Sequence, residues 1–342
     1  MDRWLEALEK EMELYEGDFG VFDSLYIGGG TPTVLEPEQI GRLFEAIRRH
    51  FGLAADTEIT VEANPDDMTS ENLDALRVFG VNRLSIGVQS FNDEELNLLQ
   101  RRHTAERARK AVELARELGF SNIGVDLMFG LPWQTKKSWL DTLEKAIGLE
   151  PAHLSCYQFT LEERTPYGKL KAEGKLTPIG EERERALFLL TSRFLGERGF
   201  IHYEVSNFAK DPTHFSRHNR KYWQHVPYLG LGPAAHSFRE NSRWWNCRSV
   251  QEYCSLLDRG ARPVEGREDL SGEQLRLERL YLGFRTNNGV SMDDVCLSDA
   301  SMQTLSRLRR SGFLQVVQGR AVPTPKGFLI ADRLPLIFDA DQ

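Results

Sequence analysis

Cysteine is scarce in this chain: Cys156, Cys247, Cys254 and Cys296 are the four in 342 residues. Their spacing makes neither a disulfide framework nor a tight metal motif, so they read as buried free thiols. Long apolar runs are missing too. None approaches the roughly 18 residues that cross a bilayer, so no integral membrane segment is expected. The N-terminal MDRWLEALEKEMELY is acidic and amphipathic, without the basic start and apolar stretch of a signal peptide. The cytoplasm is the expected compartment. Positive charge is in deficit, with 43 Lys and Arg against 51 Asp and Glu and a net of −8, which argues against a general nucleic-acid binder. Low-complexity linkers are absent. What remains, 40% hydrophobic and 27% charged, is the balance of a globular protein with room for two or three domains.

The first half alternates two kinds of segment. β-Rich runs occur at 24–30, 58–64, 83–89, 122–129 and 153–159. Between them, apolar residues three and four apart mark helix faces: Ile40, Leu43, Phe44 and Ile47; Leu73, Leu76 and Phe79; Ala108, Ala111, Val112, Ala115 and Leu118; Trp139, Leu143 and Ile147. Gly80 and Gly119 follow two of these patterns directly, where a left-handed C-cap is expected. The alternation indicates a parallel sheet, and strands apolar on both faces are expected if helices cover it. Five runs are too few for a closed eight-stranded barrel, leaving a doubly wound sheet or an open, partial barrel. Residues 4–15 read as a helix with no strand before it, so the first βα unit looks incomplete. A further helix is expected over 180–199. Two helices and a hairpin near 272–285, 300–310 and 313–325 suggest a winged-helix-like tail.

Two features of the first half carry chemistry. Gly28-Gly29-Gly30-Thr31-Pro32 follows a strand directly, and glycines let backbone groups approach a ligand closely. The turn lacks the Gly-Lys-Ser/Thr of a nucleotide P-loop and the GxGxxG of a dinucleotide fold. Glu62, Gln89 and Asp126 stand at the C-terminal ends of successive β-runs, with Arg101 close after. In βα barrels that edge carries the site. Singly, each reads as a cap or a surface group. Together they offer carboxylates for ribose hydroxyls, an amide, and a guanidinium for a carboxylate, a set suited to a zwitterionic nucleoside.

YIGGGTP, VEANP (61–65), NRLSIGVQSF (82–91), VDLMFGLP (125–132), YEVSNFA (203–209) and HNRKYW (218–223), in this order and spacing, resemble the HemN/HemW family of radical S-adenosylmethionine (SAM) proteins. The resemblance runs from about residue 4 to the C-terminus. It implies an α/β fold: a partial (βα)6 TIM-type barrel lacking its first strand over 1–180, a barrel extension with HNRKYW over 181–264, and a winged-helix-like α+β domain over 265–342. It further implies that Gly29, Gly30 and Thr31 hold the methionine end of SAM, and that Glu62, Gln89, Arg101, Asp126 and Thr160 contact the rest. HNxxYW is typical of the heme-chaperone branch, which makes His218 the expected heme-iron ligand. The expected function is a chaperone that binds SAM and heme and delivers heme to apo-heme acceptor proteins, including peripheral contact with membrane-bound acceptors. The alternative is an oxygen-independent coproporphyrinogen III dehydrogenase.

The chain departs from the family at one place. The family's [4Fe–4S] cluster hangs on CxxxCxxC after the first strand, and no such motif occurs here. The expectation is a late-assigned start or a truncated form, with an in-frame upstream extension of roughly 40 to 50 codons encoding the strand and motif. His214 and His218, four apart, could pair on a metal, but no third ligand accompanies them. In residues 265–342 ten Lys and Arg face eleven Asp and Glu, so the tail reads as a substrate cover or protein-contact module and no nucleic-acid partner is expected.

Overall fold

The computed structural model describes residues 2–163, 165–295 and 298–339; Cys296 lies outside them. All five β-runs form strands: β1 Phe22–Ile27, β2 Leu53–Ala63, β3 Arg83–Gln89, β4 Asn122–Phe129 and β5 His153–Gln158. They lie side by side in chain order, all parallel. Two short strands, β6 Ile201–His202 and β7 Asn207–Ala209, continue the sheet antiparallel, in the order β1-β2-β3-β4-β5-β7-β6. The helices are α1 Asp2–Leu14, α2 Pro37–His50, α3 Ser70–Val78, α4 Asp93–Leu98, α5 Ala105–Glu117, α6 Lys136–Gly148, α7 Pro166–Ala172 and α8 Glu181–Gly196.

Local chemistry sets their ends. Thr69, Thr104 and Thr135 cap α3, α5 and α6 by accepting backbone N–H bonds from Asn72, Arg107 and Ser138. Gly80 and Gly119 end α3 and α5 at φ +87° and +89°, the left-handed conformation expected of them.

Strands apolar on both faces are not what forms. Ile59, Val61, Leu84, Ile86, Val88, Ile123, Val125, Leu127 and Leu154 pack in one core with the helix faces. The alternate residues on the other face are Glu58, Thr60 and Glu62, then Arg83 and Ser85, then Asp126, then His153 and Ser155. Period-2 alternation makes this inner face polar. It is polar because it lines the inside of a curled, open sheet. Residues 216–218, spanning on the order of 10 Å at most, show the curl. The Ser216 N–H donates to the Tyr203 hydroxyl (3.3 Å), which bonds His153 of β5 (2.7 Å). The N–H groups of Arg217 and His218 donate to Glu58 of β2, each at 3.1 Å. The helix that starts there, α9 Arg217–Trp223, closes the seam between the two ends of the sheet.

β1 is the outer strand, and among the described residues its free edge is unpaired. An apolar groove lined by Leu8, Met12, Leu25, Leu43 and Ile47 runs beside it.

α1 is anchored far along the chain. Its Glu11, fully buried, accepts from the Tyr253 hydroxyl (2.6 Å), the Gly232 N–H (2.7 Å) and the Asn246 amide (2.5 Å). These come from the loop before the antiparallel sheet β8 His236–Arg239, β9 Ser242–Asn246 and β10 Val264–Asp269, from β9 itself, and from α10 Val250–Leu257. Cys247 and Cys254 pack with Ala7 of α1 in the same small core.

The tail has the winged-helix order: α11 Gly272–Gly283, β11 Val290–Ser291, α12 Met292–Val295, α13 Asp299–Arg310, then the hairpin β12 Leu314–Val317 and β13 Arg320–Pro323. Its core holds Leu280, Phe284, Val290, Leu305, Leu314 and Ala321, together with Phe338 of α15 Leu334–Asp339, which follows the short α14 Pro325–Phe328.

Candidate functional site

At the C-terminal ends of the parallel strands a cleft of about 230 Å³ is lined by Gly30, Thr31, Glu62, Asn64, Gln89, Arg101, Asp126 and Tyr157, among others. Six of the eight residues expected to bind SAM thus meet in one place. Gly29 and Thr160 stand outside the lining: Gly29 holds the turn, and Thr160 is exposed two residues past β5.

The three glycines do different things. A β-carbon on Gly28 would lie 2.6 Å from the Tyr26 ring and 2.7 Å from the Glu62 carboxyl, so only glycine fits. Gly29 sits at φ +81°, and its N–H donates to Glu62 Oε2 (3.2 Å). Gly30 is the one that faces the cleft. Glu62 also accepts from the Tyr26 hydroxyl (2.7 Å), which leaves it with unused lone pairs toward the cleft.

Asp126 is held by the Ser85 hydroxyl, 2.9 and 3.1 Å from its two oxygens. Burial raises its pKa above the ordinary carboxylate value, and hydrogen bonds from Ser155 and Ser85 with the Arg83 charge pull it part of the way back. Burial lowers the Arg101 pKa, opposed by Tyr167 and by Asp126 across the cleft. Gln89 adopts φ +69°, a left-handed conformation rare outside glycine. That strain, of order 1–3 kcal/mol, is the kind that clusters at ligand sites. Ser85, Asn64 and Tyr157 escaped the sequence reading. Ser85 and Tyr157 were legible in principle, because each sits on an inner face in step with a functional neighbour.

HNRKYW divides between two faces of α9. His218 and Tyr222, four apart, face β1; Arg220 and Trp223 face the tail domain. The His218 ring stacks on Tyr26 (centroids 4.7 Å, planes at 22°), and its Nε2 bonds the Tyr222 hydroxyl (2.9 Å). Burial, aided by the charges of Arg83 and Lys221, pushes its pKa down to about 4, so at neutral pH it is an uncharged imidazole. His218, Tyr26, Glu62 and Gly29 thus form one chain of contacts from the motif helix to the glycine turn. His214 lies in a separate 3₁₀ turn bonded to Asp211 (3.0 Å). Among the described residues no three His, Cys, Asp or Glu side chains gather as metal ligands.

The described cysteines do not fit the cluster that the resemblance implies. Cys156, Cys247 and Cys254 are all buried, the first on β5 and the others against α1. Burial, with the nearby Asp126 charge, pushes the Cys156 thiol well above its ordinary pKa, whereas iron is bound by thiolates.

Comparison with known proteins agrees with this geometry. Residues 1–146 match the radical SAM superfamily. The heme chaperone HemW of Bacillus subtilis (strain 168) is 37% identical over 294 residues, covering 85% of this chain and 77% of that protein. The heme chaperone HemW of Mycobacterium tuberculosis (strain H37Rv) is 32% identical over 333 residues, 97% of this chain and 85% of that protein. Among solved structures, the coproporphyrinogen III oxidase HemN from Escherichia coli superposes with a TM-score of 0.83 at 26% identity, covering 99% of this chain and 83% of that one. Polar inner face, glycine turn, motif helix and relatives together place it: the chain belongs to the HemW family of radical SAM proteins.

Proposed function

We propose that this protein is a heme chaperone that holds SAM in the cleft from Gly30 to Asp126, binds heme iron through His218 and passes heme to acceptor proteins. The observation that carries the reading is the neutral imidazole of His218 beside the apolar groove along β1, one stacked ring away from the Glu62 that lines the cleft. A neutral imidazole has a lone pair for iron, and apolar walls suit a porphyrin face. In the cleft, Asp126 and Glu62 accept hydroxyl or ammonium hydrogen bonds, Arg101 meets a carboxylate, and Gly30 with Thr31 borders the ligand with little side-chain bulk. SAM, when bound with a cluster, supplies radical chemistry in this family; the residues present give no support for that step.

Calorimetry of SAM binding tests the cleft. Asp126→Ala or Glu62→Ala removes charge-assisted hydrogen bonds of about 1.5–3 kcal/mol, so affinity should fall roughly ten- to a hundredfold. Tight binding that neither change affects would disprove the assignment.

Hemin titration tests the iron ligand. The parent chain should give the Soret shift of imidazole ligation, His218→Ala should lose it with circular dichroism unchanged, and His214→Ala should keep it. Because the His218 pKa lies near 4, ligation should persist as the pH falls below 6.5, the usual histidine value, and fail only near 4. A parent chain that is folded yet indifferent to hemin would remove the main local support.

The enzyme alternative, a coproporphyrinogen III dehydrogenase, draws on the structural likeness to HemN. The higher identity to HemW relatives favours the chaperone.

A further inference from the structure

On the other face of α9 from His218, a cleft of about 380 Å³ lies between the motif helix and the tail domain. Three guanidinium groups line it, each from a different element: Arg220 of α9, Arg279 of α11 and Arg320 of β13. Among the described residues, Asp294 is the only carboxylate in the lining. This excess of positive charge occurs in a chain whose net charge is −8.

None of the three arginines makes an ion pair among the described residues; Arg320 donates only to the Asn288 and Gly289 carbonyls (2.7 and 2.8 Å). The acidic neighbours are already engaged. Glu278 bonds Arg243 (2.5 Å) and lies 3.2 Å from His225 Nε2, and Asp332 pairs with Arg285. Unpaired guanidiniums collected in one concavity are a receptor for carboxylates or phosphates.

Aromatic surface lines the same cleft. Phe215 carries Arg220 over its ring at 5.8 Å, and Trp223 carries Arg285 at 5.7 Å. The Trp223 indole N–H is buried without an acceptor, and a buried donor left unpaired is costly unless a ligand meets it. The cleft lies at the end of the barrel away from Asp126 and Gln89. Its Tyr203 bonds His153 at the N-terminal start of β5, whereas the SAM cleft sits at the strands' C-terminal ends.

We propose that this cleft is a second, separate binding station for a flat aromatic ring carrying carboxylates at its edge, namely a tetrapyrrole held by its propionates. The choice of tetrapyrrole over another aromatic polyanion, such as a nucleotide, rests on the heme-chaperone reading; the anion site itself does not. The arginines take the carboxylates, Trp223 offers a face to the ring, and Phe215, stacked on Tyr203 (4.2 Å), borders it. His218 and Tyr222 face the opposite side of the helix, so the station works without iron ligation.

Metal-free protoporphyrin IX, which cannot use His218 as an iron ligand, is the probe. In fluorescence titration of the full chain, Arg220→Gln with Arg279→Gln should weaken binding at least tenfold. Both side chains are exposed, and an unchanged melting curve should show the fold intact. Asp294→Asn, which removes the one opposing charge, should tighten binding several-fold, a gain that a merely structural role would not give. The porphyrin dimethyl ester should bind poorly to the parent. His214→Ala, outside both linings, should leave protoporphyrin IX binding unchanged, and the double arginine variant should weaken it equally in a His218→Ala background. Equal binding of diacid and diester, or indifference of the double variant, would overturn the station. Arginine-dependent binding of ADP with no porphyrin binding would overturn the tetrapyrrole assignment. Arginine-dependent porphyrin binding in a chain whose hemin spectrum shows no histidine ligation would uphold the station and defeat the His218 reading.

Discussion

Anaerobic incubation of the 342-residue chain with ferrous iron and sulfide should give no [4Fe–4S] absorbance, and dithionite with SAM should release no 5′-deoxyadenosine. The expected effect is complete loss relative to a family member carrying CxxxCxxC, because cluster assembly needs three thiolates within reach of one another. Here Cys156 sits in the barrel core with its thiol held protonated by burial, and Cys247 and Cys254 are buried in a different cluster against α1. Bringing them together would require unfolding both cores. Iron and sulfide analysis after desalting is the direct measurement, and stoichiometric incorporation would show that the thiols rearrange in a way the packing forbids. A chaperone could still bind heme under this outcome, so the hemin experiment does not depend on it.

Glu11→Ala should produce the largest stability loss of any single substitution considered. It leaves the Tyr253 hydroxyl, the Asn246 amide and the Gly232 N–H, all buried, without their acceptor. A network broken at one partner in this way costs about 3–5 kcal/mol. For a chain of this size that lowers the melting temperature by roughly 4–7 °C, measurable by calorimetry. Glu11→Gln keeps the shape and one acceptor oxygen, so it should cost clearly less. Burial raises the Glu11 pKa above 4.5, and its hydrogen bonds only partly offset that. The folded parent therefore binds the proton more tightly than the unfolded chain. Its stability rises as the pH falls through the raised pKa toward 4.5, and Glu11→Gln should lack that rise. An alanine variant that melts with the parent would mean that α1 is held by its apolar face alone.

Much of this was readable in advance because it is local. Thr104 before α5 and Gly119 after it, or the β-run ending at Gln89, are set by contacts within four residues. Period-2 and period-3.6 patterns record such contacts directly. The strands' polar inner face was misread for a related reason: Arg83, Ser85 and Thr60 look like lapses in an apolar run until the curl gives them an interior to line. Cys156, Cys247 and Cys254 are buried free thiols, as their irregular spacing indicated.

The amino-acid sequence by itself determined the βα alternation, the helix ends, the strand-end residues that meet in one cleft, and the family. Only the tertiary structure decided that Gly28 is glycine to make room for Tyr26 and Glu62, that Glu58 seats the motif helix across the seam, that HNRKYW divides between two faces, and that Glu11 ties α1 to residues more than 220 positions away. Periodicity carries no record of which distant residues meet. Those pairings follow from how the sheet curls and which buried polar groups must then find partners, and both are properties of the packed chain as a whole.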